Sequence, residues 1–289
     1  MAIRKSVVLS ALLPDAETDD ALYEWGLARL AERDVRVAET YIPFDRAAER
    51  RRCLEEHGME HIYLGALYQK RNGIHLCATE EKERQRALAE TGLCLDAAAA
   101  SGSGTILLTS GRLPKKKENL PRALRALKDS LKQICARAAE KNLAVTLEPG
   151  DTAVQAFQLI GSTDDALALM EALRESCPNL SLTMDTSHTV QLGEDIEEAL
   201  RSARPFCRHV HLANCILKKE HPLYGDRHPL FTDPDGEISP AKMQYVTNWL
   251  KQQYHDEELT LSFEIICQKG DNRTFMERVL EEEDWFFRY

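Results

Sequence analysis

The sequence has no Cys-x-x-Cys pair, no excess of basic charge and no apolar run long enough to span a membrane. Each absence excludes something. Eight cysteines occur singly in 289 residues, which argues against a disulfide framework and for reduced, mostly buried thiols, as in a cytosolic protein. The net charge is −10, so binding along a phosphate backbone runs uphill. Small polar or cationic partners, or substrates held through a metal, fit better. The opening Met-Ala-Ile-Arg-Lys-Ser is not followed by the apolar stretch of a secretory signal. There is no composition break, no heptad pattern and no low-complexity tract beyond Ala97–Ala100. The expectation is one cytoplasmic domain over residues 1–289, with no membrane segment and no nucleic-acid partner. A homo-oligomer is left open.

What is present is an alternation of β-type runs and amphipathic stretches. Strands are expected at Ser6–Leu13, Val35–Ile42, His61–Tyr68, Thr105–Thr109, Leu143–Glu148, Leu180–Asp185, His209–Asn214 and Leu259–Ile266. Between them lie helical patterns at Asp19–Glu32 (with Thr18 as its cap), Asp45–His57, Thr79–Ala99, Glu118–Lys141, Asp164–Ser176, Asp195–Ala203, Pro240–Tyr254 and Arg273–Arg288. Eight β-then-α units predict a (β/α)8 TIM barrel, and the length suits that fold. A doubly wound open sheet would want a Gly-rich turn that opens a helix. Gly102-Ser103-Gly104 precedes its strand instead.

The stretch Leu180-Ser181-Leu182-Thr183-Met184-Asp185-Thr186-Ser187-His188 carries the chemistry. Strand alternation puts Asp185 opposite the apolar face, at the C-terminal end, with His188 on the departing loop. Three other strands repeat the arrangement, ending Thr146-Leu147-Glu148, His209-Val210-His211 and Ser262-Phe263-Glu264. Strands buried on both faces should read as nearly continuous Val, Ile and Leu. These four break that rule at corresponding places, where a barrel keeps its catalytic groups. Converging carboxylates must share a cation, pair with bases or stay protonated. One divalent metal on Glu148, Asp185, His211 and Glu264 satisfies all of them. Three carboxylates and one imidazole suit Mn²⁺ best, with Mg²⁺, Co²⁺ and Zn²⁺ as alternatives. His209, one pleat deeper, reads as a packed interior histidine; His57, His61, His75 and His255 read as exposed.

At these residues the chain resembles the xylose isomerase-like barrel superfamily, which includes sugar-phosphate isomerases and epimerases, inosose dehydratases and type IV apurinic endonucleases. The matching segments are Thr146–Pro149, Met184–His188, His209–Asn214 and Ser262–Glu264, with Pro234-Asp235-Gly236-Glu237-Ile238 similar to a family loop. The resemblance implies Glu148, Asp185, His211 and Glu264 as metal ligands, His188 as a substrate contact, and Glu148 and Glu264 as the pair that shuttles a proton. Leu217-Lys218-Lys219 stands where the epimerases usually carry an Arg. Asp226-Arg227-His228 resembles an endonuclease ligand motif, but Tyr68-Gln69-Lys70 and Ser110-Gly111-Arg112 lack the histidines those enzymes place after strands three and four. That argues against a three-zinc site, and leaves Asp226 and His228 for a second metal, for the substrate or for solvent.

Glu39, Tyr41, Tyr68, Lys70 and Arg112 end other strands and can line the mouth; Arg112 or Lys70 can meet a phosphate or carboxylate. The segment Cys215–Ile238 is a natural lid. The activity expected is a metal-dependent sugar or sugar-phosphate isomerase or epimerase, working by proton abstraction α to a carbonyl. The alternatives are a dehydratase of a cyclic polyol or keto-acid on the same metal, an abasic-site nuclease, and a non-catalytic barrel.

Overall fold

The eight strands are β1 Arg4–Val8, β2 Val37–Thr40, β3 Glu60–Leu64, β4 Thr105–Thr109, β5 Ala144–Glu148, β6 Leu180–Asp185, β7 Cys207–Leu212 and β8 Thr260–Phe263. In this computed structural model, which describes residues 3–255, 257–268 and 272–287, they pair in parallel and in chain order. β8 returns to β1 and closes the barrel, with Ser6 opposite Ser262. The fold is therefore the (β/α)8 barrel that the sequence predicts.

Pleating divides each strand between two layers. Val7, Ala38, Tyr63, Leu108, Leu147, Met184, Val210 and Phe263 face outward into the apolar layer beneath the helices. The inward residues are split by side of the barrel. Val8, Val37, Ile62, Leu64 and Leu107, from β1 to β4, form a small apolar cluster of their own. Thr146, Thr183, His209 and Ser262, from β5 to β8, are buried and polar. The β1–β4 side is a packed apolar core apart from buried Ser6 and Glu39, and the β5–β8 side is polar, with demands that must be met by hydrogen bonds.

Several boundaries differ from the sequence reading. β1 stops at Val8, and Leu9–Leu12 turns into a short helix. The cap of the Asp20–Glu32 helix is Asp19, whose carboxylate accepts from the Leu22 N–H, and not Thr18. β3 ends at Leu64, and Gly65–Asn72 is helical, closed by Gly73 in the left-handed region. An apolar run as short as Ile62–Tyr68 fits either period, so periodicity does not separate the strand from the helix that follows it. Tyr68 and Lys70 consequently sit on a helix. Gln69 beside them is buried and completes the end of β4, accepting from the Thr109 N–H at 2.8 Å and donating to its carbonyl at 3.3 Å. The last helix is Asn272–Phe287; Arg288 lies outside the described residues.

Among the described residues no helix is long and apolar enough to cross a membrane. Among the described residues, which include all eight cysteines, there is no disulfide, and six of the cysteines are buried.

Candidate active site

Register brings the four sequence-predicted donors to one level at the C-terminal mouth. Asp185 lies opposite His211, and His211 opposite Ser262, with Glu264 just past the end of β8. Glu148 ends β5. One side-chain donor atom from each of Glu148, Asp185, His211 and Glu264 falls within 4.8 Å of the others. The His211 Nδ1 stands at the centre, 2.9 Å from Glu148 Oε1, 2.8 Å from Glu264 Oε2 and 4.0 Å from Asp185 Oδ2. All four are at least four-fifths buried.

Asp185 does two jobs with two oxygens. Its Oδ1 accepts from the His188 N–H at 2.8 Å, capping the short helix Thr186–Gln191. Its Oδ2 is buried and has no hydrogen-bond partner. An ionised carboxylate oxygen left so beside two further carboxylates is expensive: like charges about 4 Å apart repel by roughly 4 kcal/mol at an effective dielectric constant near 20. A cation between the four groups would relieve the repulsion and occupy the orphaned oxygen, so the donor set fits a divalent metal.

The electrostatics point the same way. Burial opposes a charged His211, yet Glu264, Glu39 and Glu148 lift its pKa well above the usual imidazole range. Burial pushes the Glu148 carboxyl up. Burial alone would also raise Glu264, but His211 and His228 bring it down to about 2. The protein has gathered negative charge here and offers imidazoles to balance it.

A second group sits beside the first. The short helix, and not a loop, carries His188, which is 8% exposed with its Nδ1 unpartnered. The long segment after β7 folds back to deliver Asp226 and His228, both buried rather than solvated. His228 Nε2 lies 2.7 Å from Asp226 Oδ1, and the other oxygen of Asp226 accepts from Lys70 Nζ at 3.2 Å. Asp185, His188 and His228 also have donor atoms within 4.8 Å of one another. Burial opposes the charge on His228, but Glu264 and Asp226 raise its pKa to about 10.

Above both groups opens a cavity of about 590 Å³. Glu148, His188, His211, Asp226, His228 and Glu264 line one wall; Val8, Leu64, Leu67 and Leu107 line the apolar side. Arg112 lines it too, but is exposed, with its guanidinium 5.5 Å from the centre of the Phe157 ring. Lys70 is tied to Asp226.

Two readings of individual residues change. His61 is buried, not exposed: its ring reaches Ser103 Oγ at 2.6 Å and Thr40 Oγ1 at 2.8 Å. Glu39, placed at the mouth by the sequence, is fully buried inside the barrel and contacts both His209 and His211. An acid near the end of a buried strand is the signal, as it is for Glu148. A third residue gave no signal. Buried Asp151 accepts from the backbone N–H groups of Ala153, Val154, Gln155 and Ala156, and so shapes the loop behind the cavity.

Fold and site together define a closed parallel barrel with an acid-and-histidine cluster at its C-terminal mouth. The sequence profile of the xylose isomerase-like TIM barrel family matches residues 25–267, and the chain belongs to that family. No curated protein matches it. Among solved structures it is similar to a 3-keto-D-glucoside 4-epimerase from E. coli, at 16% identity over 99% of this chain and 100% of that one, with a TM-score of 0.72. An AP endonuclease, family 2, from Brucella melitensis is 17% identical over 100% of this chain and 99% of that one, also at 0.72. A D-psicose 3-epimerase from Clostridium cellulolyticum is 13% identical over 98% of each chain, again at 0.72. At such identities the likeness is one of fold.

Proposed function

We propose that the protein is a divalent-metal-dependent isomerase or epimerase of a sugar or sugar phosphate. The observation that carries this reading is the convergence of Glu148, Asp185, His211 and Glu264 within 4.8 Å beneath a cavity of about 590 Å³. Membership of a xylose isomerase-like family and the two sugar epimerases among the similar folds support it.

In this reading the four residues hold the ion, Mn²⁺ being the best match to three carboxylates and an imidazole. A bound ion would polarise the substrate carbonyl and its neighbouring hydroxyl, lowering the cost of an ene-diolate. The chain's own groups do the rest. Glu148 ends β5 and Glu264 follows β8, strands on either side of β7, and both reach His211 Nδ1, so one can take the proton α to the carbonyl and the other return it. His188, Asp226 and His228 offer hydrogen bonds to substrate hydroxyls, Arg112 a contact at the rim, and the wall of Val8, Leu64, Leu67 and Leu107 keeps water from the intermediate.

The test is solvent proton exchange. Protein stripped by a chelator and restored with Mn²⁺ should move deuterium from D2O into at least one of a panel of ketoses and ketose phosphates. Absence of metal-dependent exchange across the panel would sink the reading. Loss of water, with ultraviolet absorbance from a conjugated product, would point instead to a dehydratase on the same site.

A second reading rests on one observation, the adjoining ring of Asp185, His188 and His228. Two neighbouring cations would suit phosphodiester hydrolysis, as in the endonuclease of similar fold. Against it stand the net charge of −10 and the Gln69 and Arg112 side chains on the third and fourth units. Cleavage of a duplex bearing an abasic site, with two ions bound per chain, is the result that would favour it.

A further inference from the structure

We propose that Glu39 is a positioning residue for the metal-binding imidazole of His211, fixing which ring nitrogen meets the ion. The inference rests on the reading of the four-residue cluster as a metal centre.

Glu39 is completely buried, and its two oxygens are spoken for by three partners from two other strands. Oε1 accepts from Ser6 Oγ at 2.9 Å and lies 2.9 Å from His209 Nε2. Oε2 lies 3.1 Å from His211 Nε2. His209 and His211 are two residues apart on β7 and so point the same way. Their rings stand 4.6 Å apart at 88°, an edge-on pair bridged by the one carboxylate. His209 is held in turn from behind, by Thr183 Oγ1 at 3.0 Å from its Nδ1, and Thr183 by Thr146 Oγ1 at 2.7 Å. A continuous chain of side chains thus runs from the floor of the barrel to His211.

An ionised carboxylate only accepts hydrogen bonds. Facing one, both His209 Nε2 and His211 Nε2 must carry hydrogen. In a neutral His211 the lone pair is then on Nδ1, the nitrogen that faces Glu148, Asp185 and Glu264. Moving the hydrogen to Nδ1 would point a donor at the cluster and leave Glu39 buried with one partner fewer; turning the ring over would put carbon where both nitrogens now stand. The carboxylate therefore sets both the tautomer and the angle of the ring, as outer carboxylates do for ligating histidines elsewhere. Glu39 touches neither substrate nor ion in this arrangement; it acts through His211.

Glu39→Gln keeps the shape but offers an amide, which can donate as well as accept and so no longer dictates the tautomer. Calorimetric titration of the chelator-stripped protein with Mn²⁺ should show binding weakened about 10- to 100-fold in this variant. Asp185→Asn, made beside it, should abolish binding. Nitrogen-15 spectra of histidine-labelled wild type loaded with Mg²⁺ should show hydrogen on His211 Nε2, a signature that a merely packed glutamate would not produce. An affinity for Glu39→Gln within twofold of wild type overturns the proposal if Asp185→Asn has lost the ion. A wild-type spectrum with hydrogen on Nδ1 overturns it even if Glu39→Gln fails to fold. If the Asp185→Asn chain binds Mn²⁺ as well as wild type, the metal centre itself is misplaced and the proposal falls with it.

Discussion

Glu148→Gln and Glu264→Gln separate an enzyme from a barrel that only binds. Each removes a proton acceptor and one charge from the proposed metal set, so at saturating Mn²⁺ sugar binding should weaken far less than turnover. Turnover should fall about 10²- to 10⁴-fold, the usual worth of a positioned acid or base. Ligand affinity left largely intact in both variants, with no turnover of that ligand by the wild type, would favour the binding barrel. His61 gives a test away from the site. Burial lowers its pKa to about 4, from an ordinary 6.5. Between those values the unfolded chain takes up a proton that the folded chain refuses, so stability is lost as pH falls from 6.5 toward 4, by roughly 3 kcal/mol. Urea unfolding of wild type and His61→Gln across that window should show the steeper decline in wild type. Parallel slopes would mean that His61 charges in the fold. Its burial is not legible in the sequence, because nothing near it in the chain reveals Ser103, which arrives from forty-two positions further on.

At the scale of elements, the segment between β7 and the Pro240–Gln253 helix is the one to probe. It is not loose throughout. Phe231 is buried against Phe263 and Phe286, and the Glu282 carboxylate accepts from the Phe231 and Thr232 N–H groups. Asn214 Oδ1 accepts from the Ile238 N–H at its far end. These anchors let a long connection carry Asp226 and His228 into the mouth. The turn that aims them uses Gly225 at φ +86°, where an added Cβ would lie 2.7 Å from Gln155 Oε1. His228 follows at φ +36°, a region that costs a non-glycine residue about 1–3 kcal/mol and is held by its buried partners. Gly225→Ala should therefore destabilise the turn more than the barrel. The expected result is faster tryptic cleavage after Arg227 with the global unfolding free energy lowered by about 1 kcal/mol or less. Unchanged cleavage would show that the turn tolerates a side chain.

For the molecule as a whole, the split interior explains how a stable barrel holds so many acids. The half from β1 to β4 packs Val8, Val37, Ile62, Leu64 and Leu107, while the half from β5 to β8 links Thr146, Thr183 and His209 through hydrogen bonds. Repulsion among the mouth carboxylates is left for a ligand to relieve. Mn²⁺ at about 100 times its dissociation constant should then stabilise the fold by roughly 2.7 kcal/mol, raising the melting temperature by about 5 °C. Asp185→Asn should remove that increment. It keeps the amide oxygen as helix cap, so its metal-free melting point should stay near that of wild type. A melting temperature indifferent to every divalent ion would exclude the cluster as a metal centre.

Periodicity alone determined the eight β-then-α units, because alternation along a strand and the 3.6-residue repeat of a helix are local properties of the chain. It also singled out Glu148, Asp185, His211 and Glu264, because an acid or histidine at the end of a buried strand breaks a local pattern. Their meeting within 4.8 Å was decided by barrel closure and strand register. So was the burial of Glu39 between His209 and His211, residues some 170 positions away in the chain. Contacts between distant segments leave no periodic trace in either segment, and only the closed sheet brings such residues to the same height.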